Sequence, residues 1–173
     1  ARTRELAQSV GELKALGDVG QAVSSTLDLQ TVLSTIVRHA VQLSGTSCGI
    51  IFDYDETTQE FRVRGSHKME DELVEVYRVT PLRLGEGSTG GAAATRTPIQ
   101  VVDLFDERQP RYTRIRSLLA RLGYHSLLAV PILLEQRIMG AVTVYRHETG
   151  SFAQEVVNLL QTFATQSALA IQN

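Results

Sequence analysis

Two apolar runs joined by a very short polar connector constrain this chain more than anything else in it. Ser126-Leu-Leu-Ala-Val-Pro-Ile-Leu-Leu134 is apolar on both faces, Glu135-Gln-Arg137 breaks the run, and Ile138-Met-Gly-Ala-Val-Thr-Val-Tyr145 resumes it. Strands of this kind belong in the middle of a sheet covered on both sides, because a strand with one wet face alternates apolar and polar residues. Parallel neighbours need a crossover of about a dozen residues or more, so three residues allow only a hairpin. Residues 126–145 therefore predict two adjacent antiparallel strands at the centre of a layered domain.

The rest of the chain supplies the layers. Leu6, Val10, Leu13, Leu16, Val19 and Val23 recur at steps of three and four and predict an amphipathic helix, with a slip in its seam near Gly17 and Gly20. A second helix is predicted from Asp28, as cap, through Val32, Leu33, Ile36, Val37, Ala40 and Leu43, stopped by Ser44-Gly-Thr-Ser47. Cys48–Tyr54 and Phe61-Arg-Val-Arg64 read as a hairpin across the turn-rich Asp55-Glu-Thr-Thr58. Residues 69–78 read as a helix, Ile99-Gln-Val-Val as a short strand, and Ile115, Leu118, Leu119 and Leu122 as the buried side of another short helix. Ser151-Phe-Ala-Gln154 has the form of a capping box opening a long helix with Phe152, Val156, Leu159, Leu160, Phe163, Ser167 and Ile171 on one side. A hairpin-built sheet flanked by helices is α+β, unlike the alternating order of a parallel nucleotide fold.

Composition narrows the function classes. A chain of 173 residues with 43% hydrophobic and 21% charged residues fits one folded domain. A formal charge of −2 gives no net positive field for a polyanion, which argues against a nucleic-acid partner. No apolar stretch approaches the roughly 20 residues of a membrane span, and the start lacks the pattern of a signal peptide, so a cytoplasmic location is expected. The single cysteine, Cys48, cannot form an internal disulfide or a thiolate zinc cluster.

Gly85, Gly87 and Gly90 have the spacing G-x-G-x-x-G, and Asp103 lies where a ribose-binding acid would fall. A dinucleotide site also needs a buried strand before the glycines and a full crossover helix after them. Val79-Thr-Pro-Leu-Arg-Leu84 contains Pro81 and suits an edge strand, and Thr97-Pro98 ends the following helix after about eight residues. The quieter reading is that the glycines and Ala92-Ala93-Ala94 let a short helix, capped by Ser88, lie close against the sheet with its first amides facing a cavity.

These same residues carry a family resemblance. Gly85-Glu-Gly87 with Gly90 and Ala93, Thr97-Pro-Ile-Gln-Val-Val-Asp103, Gly123-Tyr-His-Ser-Leu-Leu-Ala-Val-Pro131, Ile138-Met-Gly140 and Phe163-Ala-Thr-Gln-Ser-Ala-Leu-Ala-Ile171 resemble the GAF domain over residues 25–173. The string as a whole is similar to GAF modules of bacterial hybrid sensor histidine kinases. The resemblance implies a central antiparallel sheet with helices on both faces and long N- and C-terminal helices packing together. It also implies a small-molecule pocket between the sheet and residues 69–125, and a homodimer through the terminal helices. Residues 1–25 would be a signalling and dimerisation helix, residues 26–173 the sensory domain, and the chain a part of a longer signalling protein.

No catalytic residue, metal ligand or cofactor site is expected. His39 lacks the acceptor pattern of a histidine kinase, and His67 and His147 have no partner at metal spacing and read as solvated. Cys48 opens a strand and precedes Gly49, unlike the chromophore-bearing cysteines of the family, and one thiol cannot run the disulfide cycle of its methionine sulfoxide reductases. Of the basic cluster, Arg114, Arg116 and Arg121 fall off the buried side of a helix beginning at Pro110, whereas Arg111 comes near its centre. Arg111 at a cavity mouth could hold a carboxylate or phosphate. With Thr89, Asp103, Tyr112, Tyr124 and His125 it completes the candidate ligand site. Two further possibilities stand beside ligand sensing: a scaffold whose cavity is filled by Tyr112, Tyr124 and Met139, and a nucleotide-dependent enzyme.

Overall fold

The computed structural model describes residues 28–106 and 115–172. The amphipathic segment 6–23, together with Arg108, Arg111, Tyr112 and Arg114, lies outside the described residues. The elements are helix α1 (28–44), strands β1 (Cys48–Asp55) and β2 (Glu60–His67), helix α2 (Asp71–Val79), strand β3 (Leu82–Arg83), helix α3 (Gly87–Thr95), strand β4 (Ile99–Val101), helix α4 (Arg116–Arg121), strands β5 (Ser126–Leu134) and β6 (Arg137–Arg146), and helix α5 (Gln154–Gln172).

The six strands form one sheet in the order β3-β2-β1-β6-β5-β4, and every described pair is antiparallel. The doubly apolar hairpin is β5 and β6, with Leu134 opposite Arg137 and Glu135 and Gln136 as its two turn residues. Both turn residues have positive φ, 51° and 71°, the conformation that matches a tight hairpin to the twist of its strands. In the β1–β2 turn the Asp55 carboxylate accepts from the Thr57 amide at 2.9 Å, which is the local bond that makes Asp a turn residue.

The alternation along the central strands sorts side chains into two cores. Leu128, Val130, Ile132, Val142 and Val144 join Leu33, Ile36 and Val37 of α1 and Leu160, Phe163 and Ala164 of α5 in one cluster. Cys48, Ile50, Phe52, Leu127, Ala129, Ala141 and Tyr145 join residues of α2, α3 and α4 in the other. The expected layering, helices on both faces with α1 and α5 sharing one core, is what the sheet displays.

Several local expectations are corrected. The capping box at Ser151 does not form: α5 begins at Gln154, and the Ala153 carbonyl accepts from the Val156 amide at 2.9 Å. Arg146 ties the preceding segment down instead, donating to the Gly150 carbonyl at 2.7 Å and lying 3.9 Å from the Phe152 ring centre. Ser88 does not cap α3, which starts at Gly87 after Glu86 with no side-chain cap. Met139 belongs to the core of α1 and α5 and not to the opposite side where it was expected to fill a cavity; the β-bulge that interrupts the β5–β6 register here is what disturbs the strand's alternation. No described helix is long and apolar enough to cross a membrane.

Candidate functional site

The glycine motif is a turn. Gly85 and Gly87 take φ of 86° and 64°, the left-handed region that favours glycine. A Cβ on Gly90 would stand 2.3 Å from the Arg83 carbonyl oxygen, so the motif folds α3 hard against the end of β3. That strand has two residues, sits at the sheet edge and pairs antiparallel to β2. It is not the buried parallel strand on which a dinucleotide site is built. Ala92 and Ala93 are fully buried where α3 meets the sheet, and small side chains are what allow that approach.

Between the start of α3, helix α4 and the sheet lies a cavity lined by Tyr77, Ser88, Thr89, Leu104, Arg116 and Tyr145, among others. The space within it is about 20 Å³, room for roughly one water. Its wall is more polar than a core. Thr89 Oγ1 lies 2.8 Å from Thr143 Oγ1, joining α3 to β6, and the Tyr77 and Tyr145 hydroxyls lie 2.6 Å apart. Burial, followed by the closeness of Tyr77, drives the Tyr145 phenol well above its ordinary pKa.

Arg116 overturns the expectation that it is solvated. It is 6% exposed, with Nε donating to the Leu104 carbonyl at 2.6 Å and Nη2 donating to the Asp106 carbonyl. The signal was legible: Arg116 stands three residues before Leu119, on the same face of the helix. The other described member of the cluster, Arg121, is exposed and meets Glu72 at 2.5 Å.

The remaining candidate residues divide. Thr89 lines the cavity. The Tyr124 hydroxyl is held between two partners, the Cys48 thiol at 3.3 Å and the Glu70 carboxylate, to which it donates at 2.8 Å. Burial pushes that thiol up to about 12, which leaves Cys48 a poorly reactive buried thiol. Asp103 and His125 come together at the surface, 3.7 Å apart and a third or more exposed. There the His125 ring stacks on Phe105 with centroids 4.0 Å apart. Arg111 and Tyr112 lie outside the described residues. Sequence reasoning missed Tyr77, Ser88, Arg116 and Tyr145 as cavity residues. His67 is half-buried, against the expectation of a solvated ring, and burial lowers its pKa, with the Lys68 and Arg38 charges acting in the same direction. No group of three metal-ligating side chains occurs among the described residues.

No curated protein matches the sequence. Among solved structures, the GAF domain of a phosphoenolpyruvate-protein phosphotransferase from Coxiella burnetii superposes with a TM-score of 0.72 at 24% identity, covering 92% of each chain. A domain of a protein assigned as a two-component sensor histidine kinase from Sinorhizobium meliloti gives 0.66 at 17% identity, over 82% of this chain and 89% of that one. A free methionine-R-sulfoxide reductase from Thermoplasma acidophilum gives 0.69 at 11% identity, over 86% and 95%. At such identities these likenesses speak for the fold alone. The family model described as GAF domain matches residues 26–172, and with the antiparallel sheet, its two helical layers and the glycine turn under α3, the chain belongs to the GAF domain family.

Proposed function

We propose that this chain is a non-catalytic sensory and dimerisation module of a bacterial signalling protein, acting in the cytoplasm and binding a small molecule over the sheet. The observation that carries the reading is the wall of the cavity. A buried guanidinium and paired hydroxyls are expensive to hold in a core that needs only packing, and cavities that orient ligands have this makeup. Strand β6 offers a route from cavity to helices: Thr143 and Tyr145 face α2 and α3, while Val142 and Val144 pack into the core of α1 and α5. A ligand acts on the terminal helices only by as much as its affinity differs between two of their arrangements. Dimerisation through those helices, with the 6–23 stripe as the seam, gives such arrangements a partner to be read by.

The reductase among the similar structures raises the catalytic alternative. Disulfide cycling needs a second cysteine, and this chain has one, fully buried and held as a thiol. That supports a regulatory role. One observation favours the scaffold reading, a domain that dimerises and relays without a ligand: about 20 Å³ of space is far below the several hundred Å³ usual for ligand pockets.

Native mass spectrometry of the freshly purified protein tests both parts. A dimer carrying a small molecule is the expected result. A dimer of bare protein mass, unchanged across a metabolite screen, selects the scaffold, and a monomer overturns the dimerisation reading.

A further inference from the structure

On the other face of the sheet, the end of β2 gathers positive charge. A Cβ on Gly65 would stand 2.9 Å from Ser34 Oγ and 3.1 Å from Ser34 Cα, so β2 runs hard against α1 there. His67 follows two residues later and pairs with Gly49, whose missing side chain would meet Val37 and Val41 of α1. Arg38 stands one helical turn beyond Ser34, in that same stretch of α1, and Lys68 is the residue after β2. The charges that act on His67 are those of Lys68 and Arg38, both positive. Both side chains are exposed. Every other described arginine meets an acid or holds a main-chain carbonyl, whereas among the described residues Arg38 and Lys68 have neither. The His67 Nε2 atom is shut off from solvent and has no hydrogen-bond partner among them. Lys68 takes φ of 58°, in the left-handed region that favours glycine, so the turn itself does not call for a lysine. Of the acids that follow, Glu70 gives its carboxylate to Tyr124 in the opposite core, and Asp71 opens α2, where negative charge serves the helix start.

From this we infer that Arg38, His67 and Lys68 form an oxyanion site between α1 and the end of β2, and that it takes a phosphate group. Like charges gathered beside an unsatisfied ring nitrogen cost stability and add nothing to packing. An oxyanion answers all three groups at once, accepting from the guanidinium, the ammonium and an imidazole N–H. A phosphate near neutral pH carries close to two negative charges, which matches two fixed cations better than a single carboxylate does. The site lies on the face away from the cavity under α3 and needs no ligand there. Because α1 and β2 hold the phosphate jointly, occupancy fastens α1 to the edge of the sheet.

Inorganic phosphate and phenyl phosphate are the probes, titrated into the full chain at constant ionic strength with chloride as the balance. Melting temperature and the NMR pH titration of the His67 ring are the readouts. Phosphate is expected to raise the melting temperature saturably and to move the His67 titration upward, because an anion beside the imidazole favours its charged form. Arg38→Gln and Lys68→Gln change exposed side chains, so the domain folds, and each should weaken phosphate binding by about tenfold or more. Each should also raise the His67 titration with no phosphate present, by removing a repelling charge. Arg121→Gln, on an exposed arginine paired to Glu72, leaves both readouts unchanged. Equal affinity for the two probes assigns the site to free phosphate, and tighter binding of phenyl phosphate assigns it to a phosphate carried on a larger molecule; either supports the site. Indifference of the wild type to both probes overturns the inference, and so does binding that survives Arg38→Gln and Lys68→Gln or falls equally with Arg121→Gln. A His67 titration unmoved by Lys68→Gln shows that the three groups do not act together and overturns it as well.

Discussion

The two faces of the sheet are built from different chemistry. The face under α1 and α5 is almost wholly aliphatic: Leu33, Ile36, Val37, Ile51, Val130, Ile132, Val142 and Leu160 pack with little polar interruption. Its buried Ser167 bonds to the Phe163 carbonyl of its own helix. The face under α2, α3 and α4 carries tilted and edge-on aromatic pairs, Phe52 with Phe61 and Tyr77, and Tyr124 with Tyr145. It also carries the Cys48–Tyr124–Glu70 chain, two hydroxyl pairs and a buried arginine. An aliphatic layer fixes two helices against a sheet and transmits displacement. A polar layer costs stability and leaves hydrogen-bonding groups beside the cavity. Under the proposed sensory role, rigidity belongs to one face and recognition to the other, across a single thickness of strand.

The largest test removes the platform both faces share. Gly140 sits on β6 where a Cβ would lie 2.1 Å from the Phe52 carbonyl oxygen, a main-chain atom that cannot move aside. Gly140→Val is expected to cost more than about 4 kcal/mol and to leave no cooperative thermal transition. Next, Leu160→Ala on the aliphatic face is expected to cost about 2–5 kcal/mol by urea denaturation. Tyr145→Phe on the polar face deletes one hydroxyl of a buried pair, and about 1–2 kcal/mol is expected. Should Tyr145→Phe cost as much as Leu160→Ala, the division of labour between the faces fails. Arg121→Gln breaks only an exposed ion pair and should change stability by less than about 1 kcal/mol.

The Cys48 thiol sharpens the same contrast by chemistry. Its folded pKa is raised from 9.0 to about 12, so the neutral thiol is the form the fold favours. The stability this contributes is complete below pH about 9 and is lost as pH climbs through the interval to about 12. At pH 8 the folded protein should therefore react with iodoacetamide about 1,000-fold more slowly than the unfolded chain, because three pKa units separate the thiolate populations before burial adds its own barrier. Equal rates, measured by mass spectrometry in buffer and in urea, would place the thiol at an open surface.

Most of the architecture could be read from the chain because its signals are local. The double-sided apolar hairpin at 126–145, the short helix at the glycines and the long closing helix all follow from local periodicity, while the hairpin's connector proved one residue shorter than Glu135-Gln-Arg137 because Arg137 pairs with Leu134. The resemblance to the GAF domain assembled them in the right order. The site was less legible. Thr89 lies beside the cavity as expected, whereas Arg116 is buried against expectation because its partners, the Leu104 and Asp106 carbonyls, come from a segment outside its own helix. Ser151 and Gln154 had the form of a capping box, yet the Gln154 side chain turns along its own helix and donates to Asn158 Oδ1 at 2.9 Å.

What the sequence alone determined was the pattern of strands and helices and the antiparallel centre, since each depends on side chains near one another along the chain. What only the tertiary structure decided was which polar groups meet. Thr89 finds Thr143 across 54 positions, Tyr77 finds Tyr145 across 68, and Cys48 finds Tyr124 across 76. No periodicity encodes such meetings, because they depend on sheet order and on how closely the glycine turn lets α3 approach, and both are properties of the packed whole.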